Sequence, residues 1–375
     1  MAFGRRQAHH ATVEIEAVVR LAQSLSQVLR PIAESVGGNR GPRPRASKAA
    51  GAKPRSAPPE PIAEVDLSKV RTVPIERRPN KVAAAEFASA PGADRSFAAF
   101  LKSLPEVLVA RDFLLVVNAI AAAAKKKRAV VVMLGGHIVK TGLSPLLIDL
   151  MNRRVITHLA MNGSAAIHDY EIARFGATSE DVARGLVDGT FGMAEETGRG
   201  MNEAFAAGMK NGWGMGEALA RALEDLKLSN GELSVLLAAN RLGVPCTVHA
   251  AIGAEIIHQH PAASGAAIGD TSHRDFRRLA ASLPALHEGG VVLNLGSAVI
   301  MPEVFLKALT IARNLNAGKP TGFTTCDLDM QRHYRPRVNV VQRPTQGSGK
   351  GYEITGHHEI MVPLLTWGVI EALER

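Results

Sequence analysis

The chain has 375 residues, enough for one large or two medium domains, with 46% hydrophobic and 21% charged residues. Two cysteines exclude a disulfide scaffold or a cysteine zinc cluster, and no run approaches the ~18 apolar residues of a bilayer span. The net charge of +9 and a pI of about 9.8 would by themselves suggest nucleic acid or an anionic membrane as partner, so the location of that charge matters. Aromatic residues, at 4%, are too few for a platform on which single-stranded nucleic acid stacks.

Residues 1–36 are expected to hold an amphipathic helix, the periodicity over 11–36 placing Val13, Ala17, Leu21, Leu25, Val28 and Leu29 on one stripe. The start, MAFGRRQAHH, lacks the apolar stretch of a signal peptide, and a cytoplasmic location is expected. Residues 37–62 hold six prolines, four glycines, six Arg or Lys and one Glu, a local charge of +5. We read 37–64 as a disordered basic linker that reaches nucleic acid, if at all, through salt-sensitive contacts. From residue 65 to 375 the pattern is one α/β domain, opened by an irregular basic arm over 65–82.

Ser96–Leu104 and Glu106–Ala124 read as helices on either side of Pro105. Ala129–Leu134 is continuously apolar, as a parallel strand buried on both faces must be. A helix follows around Ser144–Arg153, with Pro145 suited to its first turn. Further strands are expected at Ile156–Met161, Pro245–Ala250, Val291–Leu295 and Phe323–Cys326, and helices near 217–228, 231–242, 273–282 and 302–315. Alternation of strand and helix predicts an open parallel sheet. Nine glycines between 185 and 216 predict a loop-rich lid or subunit contact.

Ligands of such sheets bind outside the carboxyl ends of the strands. The loops there are 134–142 (LGGHIVKTG), 162–169 (NGSAAIHD), 249–255 (HAAIGAE) and 294–298 (NLGSA). Small residues let the backbone approach a ligand and leave N–H groups for phosphate, a sign of a dinucleotide-type site without the G-x-G-x-x-G fingerprint. Eight histidines fall in or beside the loops: His137, His168, His249, His258, His260, His333, His357 and His358. No H-E-x-x-H or comparable spacing appears, and no metal is assigned; an anion-binding cluster or one acid–base histidine is the expectation.

Residues 65–373 resemble the deoxyhypusine synthase superfamily, most closely its bacterial deoxyhypusine-synthase-like branch. The resemblance rests on an ordered set of segments: DLSKV at 66–70 with RPNKV at 78–82, HIVKTGL at 137–143, THLAMNGSAA at 157–166, LNLGSAVI at 293–300 and HEIMVPLL at 358–365. It implies a Rossmann-like α/β subunit, NAD as cofactor and a homotetramer. The family oxidises spermidine with NAD and passes an aminobutyl group through an imine on a lysine. By position, Gly135, His137, Thr141, Gly142, Asn162, Gly163, Ser164, Gly296, Ser297 and Thr325 are the expected cofactor contacts. His168 and Asp169 are the acid–base candidates, and Lys350 is the candidate nucleophile. The family's acidic segment before its lysine is here the basic QRHYR at 331–335. Lys140, His249, His258, Arg332, His333 and Arg335 are therefore assigned to a small anionic substrate. The leading expectation is an NAD-binding enzyme, a transferase or oxidoreductase, acting on such an anion. The alternatives are a polyamine aminobutyltransferase of the deoxyhypusine or homospermidine synthase type, and a non-catalytic oligomeric or nucleic-acid-associated protein.

Overall fold

The structure, a computed structural model, describes residues 62–375. The expected helix within 1–36 and nearly all of the 37–64 linker lie outside the described residues. Residues 62–77 belong to a separate unit. They form two single 3-10 turns, Leu67–Lys69 and Ile75–Arg77, with no buried residue.

The unit Arg78–Arg375 begins with α1 (Phe97–Ser103) and α2 (Leu108–Lys125), close to the two helices expected around Pro105. Then come β1 (Val130–Leu134), α3 (Gly136–Lys140), α4 (Ser144–Asn152), β2 (His158–Asn162) and α5 (Gly163–Phe175). A long helical insertion follows, with α6 (Val182–Asp188), α7 (Glu195–Asn211), α8 (Met215–Glu224) and α9 (Val235–Leu242). The chain closes with β3 (Cys246–His249), α10 (Gly265–Ser282), β4 (Val291–Leu295), α11 (Ile300–Leu315), β5 (Thr324–Asp329), β6 (Lys350–Thr355) and α12 (His358–Glu374).

All six strands are parallel, in the order β3-β2-β1-β4-β5-β6. This is the Rossmann-like arrangement, in which the order reverses between β1 and β4. Strand alternation divides the core into two layers. Val130, Val132 and Leu134 face α2, α4 and α5, while Val131 and Met133 face α10 and α11. No described helix is long and apolar enough to cross a membrane.

Two elements depart from the expectation. Residues 185–216 are largely helical, because the glycines of α7 serve helix packing. A Cβ at Gly198 would lie 2.5 Å from the His260 ring, one at Gly200 2.1 Å from the Tyr170 hydroxyl, and one at Gly208 2.8 Å from Ala218 Cβ. The sheet also gains β6, an edge strand of sequence KGYEIT with one buried residue, Ile354. An edge strand exposed on this scale carries no continuous apolar run to mark it.

The reversal point is tightly closed at its base. Gly135 follows β1 and Gly296 follows β4, and a Cβ at Gly135 would come within 1.9 Å of the Gly296 carbonyl oxygen. Gly296 also has φ +67°, where an L side chain is strained.

Candidate functional site

The carboxyl edge of the sheet carries two adjoining polar regions. The first lies above β1, β2 and β3 as an open cleft of about 700 Å³, lined by Lys140, Ser164, His168, Glu171, Thr178 and Glu255, among others. α3 brings Lys140 there, and Asn162 starts α5 by accepting the Ala165 N–H at 3.0 Å. One turn into α5, His168 is half-buried, its Nδ1 2.7 Å from Thr178 Oγ1. Thr178 in turn donates to Glu171 Oε2, and Thr197 donates to Glu171 Oε1 at 3.0 Å. Burial first, then the Lys140 and His137 charges, pull His168 down to about 4.

Glu255 forms the other wall. It is buried, accepts the Ala251 N–H at 2.8 Å and packs on Gly163 at the start of α5. Burial pushes it up to about 7, partly opposed by the Ala251 and Gly163 amides. His258 stands behind it, Nε2 3.2 Å from Glu255 Oε2, while its Nδ1 accepts the Gly253 N–H.

The second region lies over β4 and β5 and is closed. Asn294 and Asp327 are opposite each other in the ladder, and Asn294 Nδ2 donates to Asp327 Oδ1 at 2.7 Å. Burial, assisted by the Asp329 and Glu353 charges, pushes Asp327 up to about 7. His358, at the first turn of α12, is 1% exposed, 5.4 Å from the His137 ring and 3.6 Å from Asp329 Oδ1. Asn294 Oδ1, Asp329 Oδ2 and both ring nitrogens of His358 are buried without a hydrogen-bond partner. A buried polar group left unpaired costs roughly 1–3 kcal/mol, so a cluster of them marks where a polar ligand would add bonds.

The structure brings Lys140, Ser164 and His168 into the open cleft, and Gly135, His137, Gly296 and Ser297 to the seam beside it. Ser297 Oγ accepts the Met301 N–H and its carbonyl accepts Asn294 Nδ2, so it shapes the loop rather than opening onto it. Thr141 spends its hydroxyl on the His137 carbonyl, and Gly142, at φ +83°, closes that turn.

Several expected site residues are elsewhere. Asp169 is fully buried on another face of α5, since successive helix residues point apart. Its carboxylate accepts Ser234 Oγ and the Val235 and Leu236 amides, and so caps α9. Lys350 begins β6, paired with Thr324 at the amino edge; six residues of strand, about 17–20 Å, separate it from the ligand edge. Thr325 is buried near the same amino end of β5. His249 points back along its strand to Thr247 Oγ1 (3.0 Å), in a buried chain that continues through His158 to Ser282.

The basic loop is charge-matched. Arg335 is 3.3 Å from Glu303, Arg332 is 4.0 Å and Arg337 3.9 Å from Glu353, and His333 begins a short helical turn. The open cleft adds Glu180 and Glu196 to Glu171 and Glu255 against the one ammonium of Lys140. That balance is wrong for the anionic substrate expected from the loop. The sequence reading named Glu255, Asn294 and His358 only as members of loops or of the histidine set, and it passed over Glu171, Thr178, Thr197, Asp327 and Asp329. Of these, Asp327 and Asp329 had a signal: two carboxylates at i, i+2 just beyond an apolar strand. Among the described residues no group of three or more His, Cys, Asp or Glu is placed to hold a metal ion.

As to a dinucleotide, the residues present fit one at the β1/β4 reversal. The Gly136 and His137 amides open α3 without an intrahelical acceptor, whereas the Ile138 N–H already donates to the Gly135 carbonyl; the orphaned Asn294, Asp329 and His358 atoms offer both acceptors and donors beside the glycine seam.

No protein-family model and no curated protein sequence matches the chain. Solved structures similar to it include a protein assigned as LOR/SDH from Methanococcus maripaludis S2, at 14% identity and TM-score 0.43, covering 76% of this chain and 72% of that one. A protein assigned as a deoxyhypusine synthase from Entamoeba histolytica has 11% identity and TM-score 0.45 over 75% of this chain and 97% of that one. AgrE, solved in a ternary complex with ornithine and NAD+, has 14% identity and TM-score 0.42 over 70% of this chain; the match spans about a third of AgrE (34%).

Proposed function

We propose that the chain is an NAD-dependent enzyme acting on a small amine-bearing substrate. The observation that carries this is the reversal of strand order between β1 and β4, flanked by Gly135, Gly296 and a cluster of orphaned polar atoms. Gly135, Gly136, His137, Asn294, Gly296, Asp329 and His358 would hold the dinucleotide, which supplies a hydride acceptor when bound.

The cleft beside it supports the substrate class. Glu171, Glu180 and Glu196, with the partly protonated Glu255, face one lysine there, so an ammonium or guanidinium is better matched than a carboxylate or phosphate. His168, held neutral at pH 7, is the group that accepts a proton from the substrate. Glu255, titrating near 7, can hold or release one on the opposite wall. In the aminobutyltransferase variant of this reading, Lys140 is the lysine to test, since it lines the cleft and Lys350 does not. Assembly as a homotetramer, on the sequence resemblance, and a cytoplasmic location, on the sparse cysteine usage, are part of the proposal.

Calorimetric titration tests it. NAD+ or NADH should bind the purified protein, and Gly296→Val should abolish binding while the fold persists by circular dichroism. A small diamine should then bind the NAD-loaded protein more tightly than a dicarboxylate of equal length. Absence of nucleotide binding removes the cofactor, and preference for the dicarboxylate removes the substrate class.

A further inference from the structure

The cleft contains a device that the acid–base assignment alone does not require. Glu171 lies three residues after His168 on α5, so both side chains share a face. After α5 ends at Gly176, in the left-handed region at φ +69°, the chain turns back and sets Thr178 between them. Thr197, in the first turn of α7, reaches the same carboxylate from the other side. Each oxygen of Glu171 therefore accepts one threonine hydroxyl.

A hydroxyl has one proton to give. That of Thr178 goes to Glu171, so the 2.7 Å contact between Thr178 Oγ1 and His168 Nδ1 requires the proton on the ring nitrogen. A neutral imidazole carries one N–H. Nε2 is then left with its lone pair. The ring edge that bears it is turned towards α3, where a Cβ on Gly136 would come within 3.2 Å of His168 Cδ2.

We infer that Thr178, Glu171 and Thr197 form a brace that fixes His168 as the Nδ1–H tautomer and presents Nε2 to the cleft as an acceptor. The three are positioning residues. The brace rests on the reading of this cleft as the substrate site and deepens it, because a bare Nε2 selects a ligand that offers an N–H or O–H donor at that point. An amine meets this requirement and an ionised carboxylate or a fully ionised phosphate does not. The arrangement follows the general logic of an acid–base histidine whose second nitrogen is held by a buried acceptor chain. Here a threonine hydroxyl is interposed between ring and carboxylate.

The test reads the tautomer directly in the ligand-free full chain, by long-range proton–nitrogen correlation of protein labelled with 15N-histidine. The spectrum of His168→Ala assigns the resonances. Wild type should show His168 protonated at Nδ1 and bare at Nε2. Thr178→Ser should keep that pattern, and Thr178→Val should lose it; Thr178→Ala replaces the valine variant if valine does not fold. A wild-type His168 protonated at Nε2 overturns the inference, as does an unchanged Nδ1–H tautomer in the valine or alanine variant. No cofactor or substrate takes part in this measurement. A failure of nucleotide or diamine binding with the tautomer intact would sink the functional reading and leave the brace standing, and the reverse result would do the opposite.

Discussion

The loops above β1–β3 and those above β4–β6 hold their polar groups in opposite ways. In the first half almost every donor and acceptor has a protein partner: His168 with Thr178, Glu171 with two threonines, Glu255 with the Ala251 amide. That half is open, and of the groups described there only His258 Nε2 is buried without a hydrogen-bond partner. In the second half Asn294, Asp329 and His358 are buried and incompletely bonded. The difference separates two tasks. A catalytic group has to be held in one orientation before the ligand arrives, whereas a binding surface can carry unpaired atoms that only the ligand satisfies, at a cost in stability while it is absent.

The largest effect expected from this contrast is in the pH dependence of folding. His158, in β2, is buried and held down to about 4 by that burial. Its folded value lies below the ordinary 6.5, so the unfolded chain binds the extra proton. Its contribution is complete above 6.5 and is lost as pH falls towards 4, by about 3 kcal/mol. Asp327, in β5, is shifted the other way, from 3.8 up to about 7. The folded state binds its proton, so stability is lost as pH rises from about 4 to 7, by an amount of similar order. Urea unfolding at pH 4.5 and pH 7 should show that His158→Gln makes the protein relatively less sensitive to acid. Asp327→Asn should raise stability at pH 7 relative to pH 4.5. If both variants move the pH slope in the same direction, burial does not act on His158 and Asp327 in opposite senses.

His358→Leu tests the orphaned atoms. Removing two unpaired ring nitrogens from a site 1% exposed should stabilise the ligand-free protein by about 1–2 kcal/mol, read as a rise in Tm, while nucleotide affinity falls. A loss of stability would mean that the ring is already satisfied within the fold.

The buried strands were legible in the sequence because parallel strands covered on both faces must be continuously apolar. Val130–Leu134 is an instance, the expected apolar run Ala129–Leu134 matching the strand to within one residue. β5 runs past its apolar run, from Thr324 to Asp329, and two of the three added residues, Asp327 and Asp329, are the carboxylates of the closed half. Within the site, His168 and Lys140 were legible from their place after strands. The brace was not, since Thr178 and Thr197 are ordinary loop and helix residues until tertiary contact sets them on Glu171. Glycines misled for the same reason: spacing along the chain cannot distinguish a loop from a helix pressed against Tyr170 and His260.

Lys350 gives the smallest expected effect and bears on the same contrast from outside it. Its side chain is exposed, it starts the edge strand, and its ladder partner Thr324 is at the amino end of β5. Neither half of the ligand edge is within reach of a lysine side chain from there. Lys350→Met should therefore change stability by no more than about 0.5 kcal/mol, as exposed surface substitutions do. It should also leave nucleotide and diamine titrations unaltered. Lys140→Met, by contrast, removes the one cation among four glutamates and should tighten diamine binding if charge alone governs the cleft, or abolish turnover if its amine takes part in the chemistry. A loss of binding in Lys350→Met with Lys140→Met silent would place the site at the opposite edge of the sheet, where strand geometry and the strand-order reversal give a ligand no crevice.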